Sequence, residues 1–337
     1  MTSRRHVLKI AGRLAIGAAI AGPALRPALA AEPLTFMTPF GFIPDFLEMM
    51  NMVSGGFLTR EGFAPTLLGG HGTAVALQQL VSGAVSFVRM TAIDEYIAAA
   101  KGAALVCVST LYQGSNFHVI SAKDKPITSA KDLKGKTVGI VSVGGSTEQL
   151  LDIMLRAVGM TKADVNMQVV GNSPGVMQFV RQGRVDCFIN SLGVVVALQT
   201  AGEAIVNWPT DRYAPLPSQI YVTSREMVEK NPATVVRFLR ALRASTADMM
   251  HGDLKAIFRR ASGDFDIPGI KKMDELVALI QFTMKHPWMS QGSDNFLRNV
   301  PALWDKADAE IRGANIAAVP NVSALYTNTF IDQALKS

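Results

Sequence analysis

The sequence has little of what several enzyme classes require. Its 337 residues include two cysteines, Cys107 and Cys187, too few for a disulfide framework or a Cys-rich metal site. None of the five histidines forms an H-E-x-x-H pair, which leaves a helix-borne zinc site without support. No Lys completes a G-x-x-x-x-G-K-[ST] loop. A nucleotide triphosphate cradle of that kind is therefore not encoded. After residue 30 no apolar run reaches 18 residues, the length at which a membrane-spanning helix becomes the default reading.

Charge of one sign is also scarce. The formal net charge of +6 comes largely from residues 1–31, which hold Arg4, Arg5, Lys9, Arg13 and Arg26 and no acid. The remainder carries 28 basic against 27 acidic residues, and aromatics make up 7 % without a basic stripe around them. Nucleic acid is not an expected partner. The leading 30 residues have instead the anatomy of an export signal. "SRRHVLK" resembles the twin-arginine signal motif, a weakly apolar Gly/Ala-rich stretch follows, and Ala28-Leu29-Ala30 is an A-x-A site. Cleavage after Ala30 and a periplasmic location are expected.

What is present is a repeat. "TLLGGHGTAVALQQLVSGAVSFVRM" (residues 66–90) and "QVVGNSPGVMQFVRQGRVDCFINSL" (residues 168–192) both read strand, Gly-rich turn, helix, Gly, strand, at an offset of 100 residues. Each unit has a further strand and helix before it and a helix and strand after it. Helix–strand alternation at this spacing implies parallel sheets with crossover helices. Helices are expected over residues 44–59, 91–100 and 146–158, and strands over 33–39, 85–88, 104–111 and 137–143. "NFHVIS" (residues 116–121) and "SQIYVTS" (residues 218–224) read as two extended crossings, hence a hinge. The helical remainder is expected to pack on the first lobe. The fold class is α/β: two lobes, each a mostly parallel sheet flanked by helices. The division is a signal over residues 1–30, a first lobe from residues 31–117 and 220–337, and a second from 118–219. The cysteines fall in strand-like runs of separate sheets and are expected as free thiols.

In open α/β sheets, ligands sit beyond the carboxyl ends of the strands, where helix N-termini favour polar or negative groups. The corresponding turns here supply Phe40 and Phe42, then His71, Gly72 and Thr73, then Arg89 and Thr91 from the first half. The second half supplies Gly145, Ser146 and Thr147, then Asn172 and Asn190. Ser146 or Thr147 is expected to cap its helix as well as face the ligand. Phe40, Phe42 and Trp208 are candidate apolar walls. Arg89 at a strand end offers a fork of donors for a carboxylate or sulfonate, with pairing to Asp94 or Glu95 as the alternative.

"DLKGKTVGI" (residues 132–140) followed by "GGST", the G-x-V-D at residues 183–186 and "GGFLTREGFAPTLLGG" (residues 55–70) resemble periplasmic solute-binding proteins of ABC transporters, the nitrate, sulfonate, taurine and thiamine-precursor pyrimidine group. The resemblance covers roughly residues 34–337. It implies a type II-like two-lobed protein without catalysis or cofactor, acting as a monomer. Such a protein closes on a small organic solute and passes it to a separately encoded ABC permease and ATPase. An anionic solute fits the Arg89 reading. Ser86 stands where the second half has Asp186, a departure that points to an altered ligand anchor. A twin-arginine-exported enzyme on the same fold and a receptor subunit of a sensor system are the alternatives.

Overall fold

The computed structural model describes residues 31–336; the expected signal and its cleavage site lie outside them. Ten strands form two five-stranded sheets. The first half runs β1 (Glu32–Thr38), α1 (Leu47–Ser54), α2 (Phe57–Arg60), β2 (Phe63–Gly69), α3 (Thr73–Val81), β3 (Phe87–Met90), α4 (Ala92–Ala100) and β4 (Leu105–Tyr112). The chain then crosses through β5 (Phe117–Ala122) to β6 (Thr137–Ile140), α5 (Ser146–Arg156), β7 (Asn166–Val169), α6 (Met177–Arg181), β8 (Cys187–Ser191), α7 (Leu192–Thr200) and β9 (Ile205–Pro209). It returns through β10 (Gln219–Ser224) and ends in α8 (Arg225–Lys230), α9 (Pro232–His251), α10 (Leu254–Ala261), α11 (Met273–Lys285), α12 (Pro301–Gly313) and α13 (Thr329–Leu335).

The sheet orders are β2-β1-β3-β10-β4 and β7-β6-β8-β5-β9, one pattern used twice. β1 pairs in parallel with β2 and β3, and β6 in parallel with β7 and β8. The two expected crossings are more than connectors. β10 lies antiparallel between β3 and β4, and β5 antiparallel between β8 and β9. Each half thus lends one strand to the other half's sheet, which makes both sheets mixed. The two chain passages are anchored at both ends by ladder hydrogen bonds.

Alternation across the strands sorts the core. In β1, Phe36 faces one layer and Met37 the other. Phe36 and Phe87 meet Phe238 of α9, with the Phe87 and Phe238 rings stacked at 3.9 Å. Met37 and Val88 share the opposite layer with Tyr96 of α4 and Trp304 of α12. The C-terminal helices therefore cover both faces of the first sheet. Leu150 and Ile153 of α5 belong to that second layer too, so apolar burial ties the second sheet's helix to the first sheet's side. The helix expected over residues 44–59 is broken. A 3-10 turn opens it at Pro44, and Gly55–Gly56 interrupts it, with Gly56 at φ 68°, where glycine has no steric penalty. Cys107 in β4 and Cys187 in β8 are both buried and free.

Candidate functional site

The strand ends of the two sheets open on one cavity of about 390 Å³, within the size range of small-molecule sites. Turns after β1, β2 and β3 form one wall, and turns after β6, β7 and β8 form the other. The first wall is zipped together by backbone. Gly41 N–H donates to Gly70 O at 2.8 Å, and Gly72 N–H to Pro39 O at 2.7 Å. Gly72 at φ 127° permits that turn. Phe40, His71, Gly72, Thr73, Thr91, Gly145, Ser146, Thr147 and Asn172 all lie on the cavity wall.

Four expected residues do not. Phe42 turns away to pack on Phe265, ring centroids 4.9 Å apart. Asn190 is buried and serves its own turn, donating to Gly171 O at 3.1 Å and accepting from Ser191 N–H at 2.9 Å. Arg89, expected as the anion anchor, is fully buried beneath the wall. Its Nη1 donates to Glu48 Oε1 at 2.5 Å and to Asp45 O at 2.6 Å. Its guanidinium lies over the rings of Phe46 and Tyr112 at 4.8 and 4.7 Å. Neither Asp94 nor Glu95 is its partner. Trp208 is likewise core rather than wall, its Nε1 donating to Ile127 O.

The turn "GGST" divides its duties. The N-cap of α5 is Gly145, and no side chain caps it. Thr147 Oγ1 accepts from Val141 N–H at 3.0 Å, and Glu148 Oε2 accepts from Gly144 N–H at 2.7 Å, so these two hold the loop's shape. Ser146 reaches across the cleft. Its Oγ donates to Asp94 Oδ2 at 2.9 Å and lies 3.2 Å from Thr91 Oγ1. Thr91 caps α4 and donates to the same carboxylate at 2.7 Å. Burial raises the Asp94 pKa, opposed by the Thr91 and Ser146 hydrogen bonds. The G-x-V-D aspartate is a brace: Asp186 Oδ2 accepts from Thr137 N–H at 2.8 Å. It sits at the entry of β8, and Ser86 at the entry of β3, the ends remote from the cavity. The Ser86 departure therefore does not bear on the ligand.

Sequence reasoning passed over seven polar wall residues: Asp45, Asp94, Lys101, Asn116, Ser142, Ser191 and Gln219. Asp45, Asn116 and Gln219 are more than nine-tenths buried. Each keeps a side-chain oxygen without a hydrogen-bond partner. Burial, opposed by Arg89, pushes the Asp45 carboxyl up to about 6. Burial also lifts Glu48, against the pull of Arg89. Among the described residues, no group of three His, Cys, Asp or Glu could hold a metal.

Two mixed sheets whose strand ends face one cleft, joined by two strand exchanges, define the two-lobed periplasmic binding protein fold. The chain belongs to the NMT1/THI5-like family, whose model matches residues 44–253. It is similar to the riboflavin-binding protein RibY of Chloroflexus aurantiacus, 25 % identical over 73 % of this chain and 70 % of that protein. It also resembles the 4-amino-5-hydroxymethyl-2-methylpyrimidine phosphate synthase of Schizosaccharomyces pombe, 23 % identical over 66 % of this chain and 67 % of that enzyme. Among solved structures, the alkanesulfonate-binding protein SsuA of Xanthomonas axonopodis pv. citri, bound to MOPS, superposes with a TM-score of 0.63 at 14 % identity. That match covers 90 % of this chain and 99 % of SsuA.

Proposed function

We propose that the chain is an exported solute-binding protein. It captures a small organic molecule between its two sheets and delivers it to a membrane permease driven by a separate ATPase. The observation that carries this reading is the cavity itself, built from the carboxyl-end turns of both sheets and bridged by Ser146 to Thr91 and Asp94. A ligand touching both walls stabilises their approach, and closure then presents the loaded form. The binding proteins among its relatives and structural neighbours support the reading. The lobes in this proposal comprise residues 31–117 with 220–337, and residues 118–219. The twin-arginine motif at Arg4 and Arg5 supplies the export route.

An enzyme is the second reading, favoured by the similarity to the pyrimidine phosphate synthase. The wall offers poor material for it. Both thiols are buried away from the cavity, and burial pushes Cys187 up to about 12 and Cys107 well above its ordinary value. His71 is exposed at the rim. The anionic solute expected from Arg89 loses its anchor, because that guanidinium lies outside the cavity lining, with Nη1 held by Glu48 and Asp45 O and Nε and Nη2 buried without partners. Native mass spectrometry of gently purified protein, followed by titration with the recovered molecule, tests the proposal. Saturable binding without turnover is expected; turnover of the molecule would replace the proposal with the enzyme. Export is tested separately with Arg4→Lys/Arg5→Lys, which is expected to hold the precursor in the cytoplasm.

A further inference from the structure

Beneath the first wall of the cavity lies a charge that the protein does not balance. Arg89, Glu48 and Asp45 form one buried cluster with two carboxylates and a single guanidinium. Glu48 takes the guanidinium at 2.5 Å and the Tyr221 hydroxyl at 2.8 Å. Asp45 receives no side-chain hydrogen bond at Oδ1, and that residue lines the cavity. A buried unpaired carboxylate is strongly disfavoured unless something supplies a partner.

Two amides, Asn116 and Gln219, line the same cavity. Asn116 N–H donates to Ser218 Oγ at 3.0 Å, next to Gln219, and Asn116 O accepts from Leu192 N–H at 2.8 Å. The following residue, Gly193, has its missing Cβ position 2.9 Å from Asp45 Oδ2. The Asp45 carboxylate and the Asn116 backbone thus meet around the start of α7, at the hinge end of the cleft, and Gln219 follows the Ser218 that Asn116 binds. An amide can offer either its oxygen or its nitrogen, so Asn116 and Gln219 suit several polar groups. An ionised carboxylate only accepts, so Asp45 fixes the sign. Phe40 and Phe117 supply apolar surface in the same cavity.

We infer that this part of the cavity is the subsite for a cationic nitrogen group, an amine or amidinium carried on an apolar body, with Asp45 as its counter-ion and Asn116 and Gln219 as its flanking partners. The inference rests on the solute-binding reading and adds the ligand's class to it. The bound nitrogen brings the cluster to neutrality and fills the open acceptor. Charge-assisted N–H to carboxylate bonds are about twice as strong as neutral ones.

Four probes of one shape decide it: benzamidine and benzylamine against benzoate and benzenesulfonate, each titrated by thermal shift and calorimetry. The two cations are expected to raise the melting temperature saturably and the two anions to leave it unchanged. Asp45→Asn keeps the shape and removes the charge, and it is expected to bind the cations at least tenfold more weakly. Saturable binding of the anions alone would overturn the cationic class and leave the solute-binding reading intact. So would cation affinity unchanged in Asp45→Asn. If none of the four shifts the protein, the molecule recovered by native mass spectrometry decides by its charge: a cation supports the subsite and an anion removes it. No shift and no recovered molecule would remove both readings. The wild-type panel discriminates between the ligand classes even if the variant is poorly folded.

Discussion

Arg89 tests whether the strongest charge near the cleft belongs to the ligand or to the fold. Arg89→Met keeps length and apolar contact with Phe46 and Tyr112 but deletes the guanidinium. Glu48 Oε1 then loses its 2.5 Å donor and retains only the Tyr221 hydroxyl, in a site where its side chain is 1 % exposed. Removing one partner of a buried pair typically costs about 3–5 kcal/mol, because the remaining carboxylate is desolvated and unpaired. For a chain of this size, that lowers the melting temperature by roughly 10 °C. The pair itself adds little over an apolar replacement, since burying both charges already offsets most of their attraction. Arg89→Met/Glu48→Leu is therefore expected to be more stable than either single variant, with coupling of about 2 kcal/mol or more. Urea unfolding followed by circular dichroism measures all three. If Arg89→Met unfolds within about 1 kcal/mol of the parent while losing solute affinity tenfold, the buried-pair argument is refuted and Arg89 returns to the cleft.

The raised Asp45 carboxyl makes a pH-dependent prediction. Its folded value of about 6 lies above the ordinary 3.8, so its favourable contribution is complete below the unfolded value. That contribution is lost as pH rises through 6. Asp45→Asn should gain up to about 3 kcal/mol over the parent at pH 8 and nothing near pH 4; an equal gain at both would show that the carboxyl is not perturbed. Gly193→Ala places a Cβ 2.9 Å from Asp45 Oδ2, so solute affinity should fall at least tenfold with little change in melting temperature, and calorimetry showing unchanged affinity would sink this. Ser146→Ala removes the 2.9 Å bond across the cleft to Asp94, a charged hydrogen bond worth about 1.5–3 kcal/mol. Distances between spin labels on introduced surface cysteines should lengthen, the native thiols being buried; an unshifted distribution would show that the bond does not hold the lobes.

Much of the architecture was legible because it is periodic. The offset of 100 residues reports two similar sheets, and Gly83 and Gly183 lie at φ 75° and 68° just after their helices, as the turn chemistry requires. What periodicity does not carry is partner choice. "NFHVIS" and "SQIYVTS" have the composition of strands, yet nothing local says that each pairs antiparallel within the other half's sheet. Arg89 could be placed at a strand end but not assigned to Glu48, 41 residues away on another element. Asn116 and Gln219 lay inside the two stretches read as crossings and were passed over for the same reason. Single amides gain meaning only when the fold leaves them buried without partners.

The repeat also shows where the two halves had to differ. At the offset of 100, Thr91 matches Ser191; both stand at the N-cap of the helix that follows the third strand of their sheet. Two positions to either side, the pairs diverge. Arg89 matches Ile189, and Ile93 matches Gly193. Ile189 and Ile93 are both ordinary core, 0 % and 1 % exposed. Their counterparts meet at one place: Arg89 binds the backbone of Asp45, and Gly193 leaves room for its carboxylate. A duplicated scaffold accounts for the shared turns and caps. The asymmetry of the cleft resides in these two departures from it, which together hold a carboxylate from one lobe against the helix start of the other.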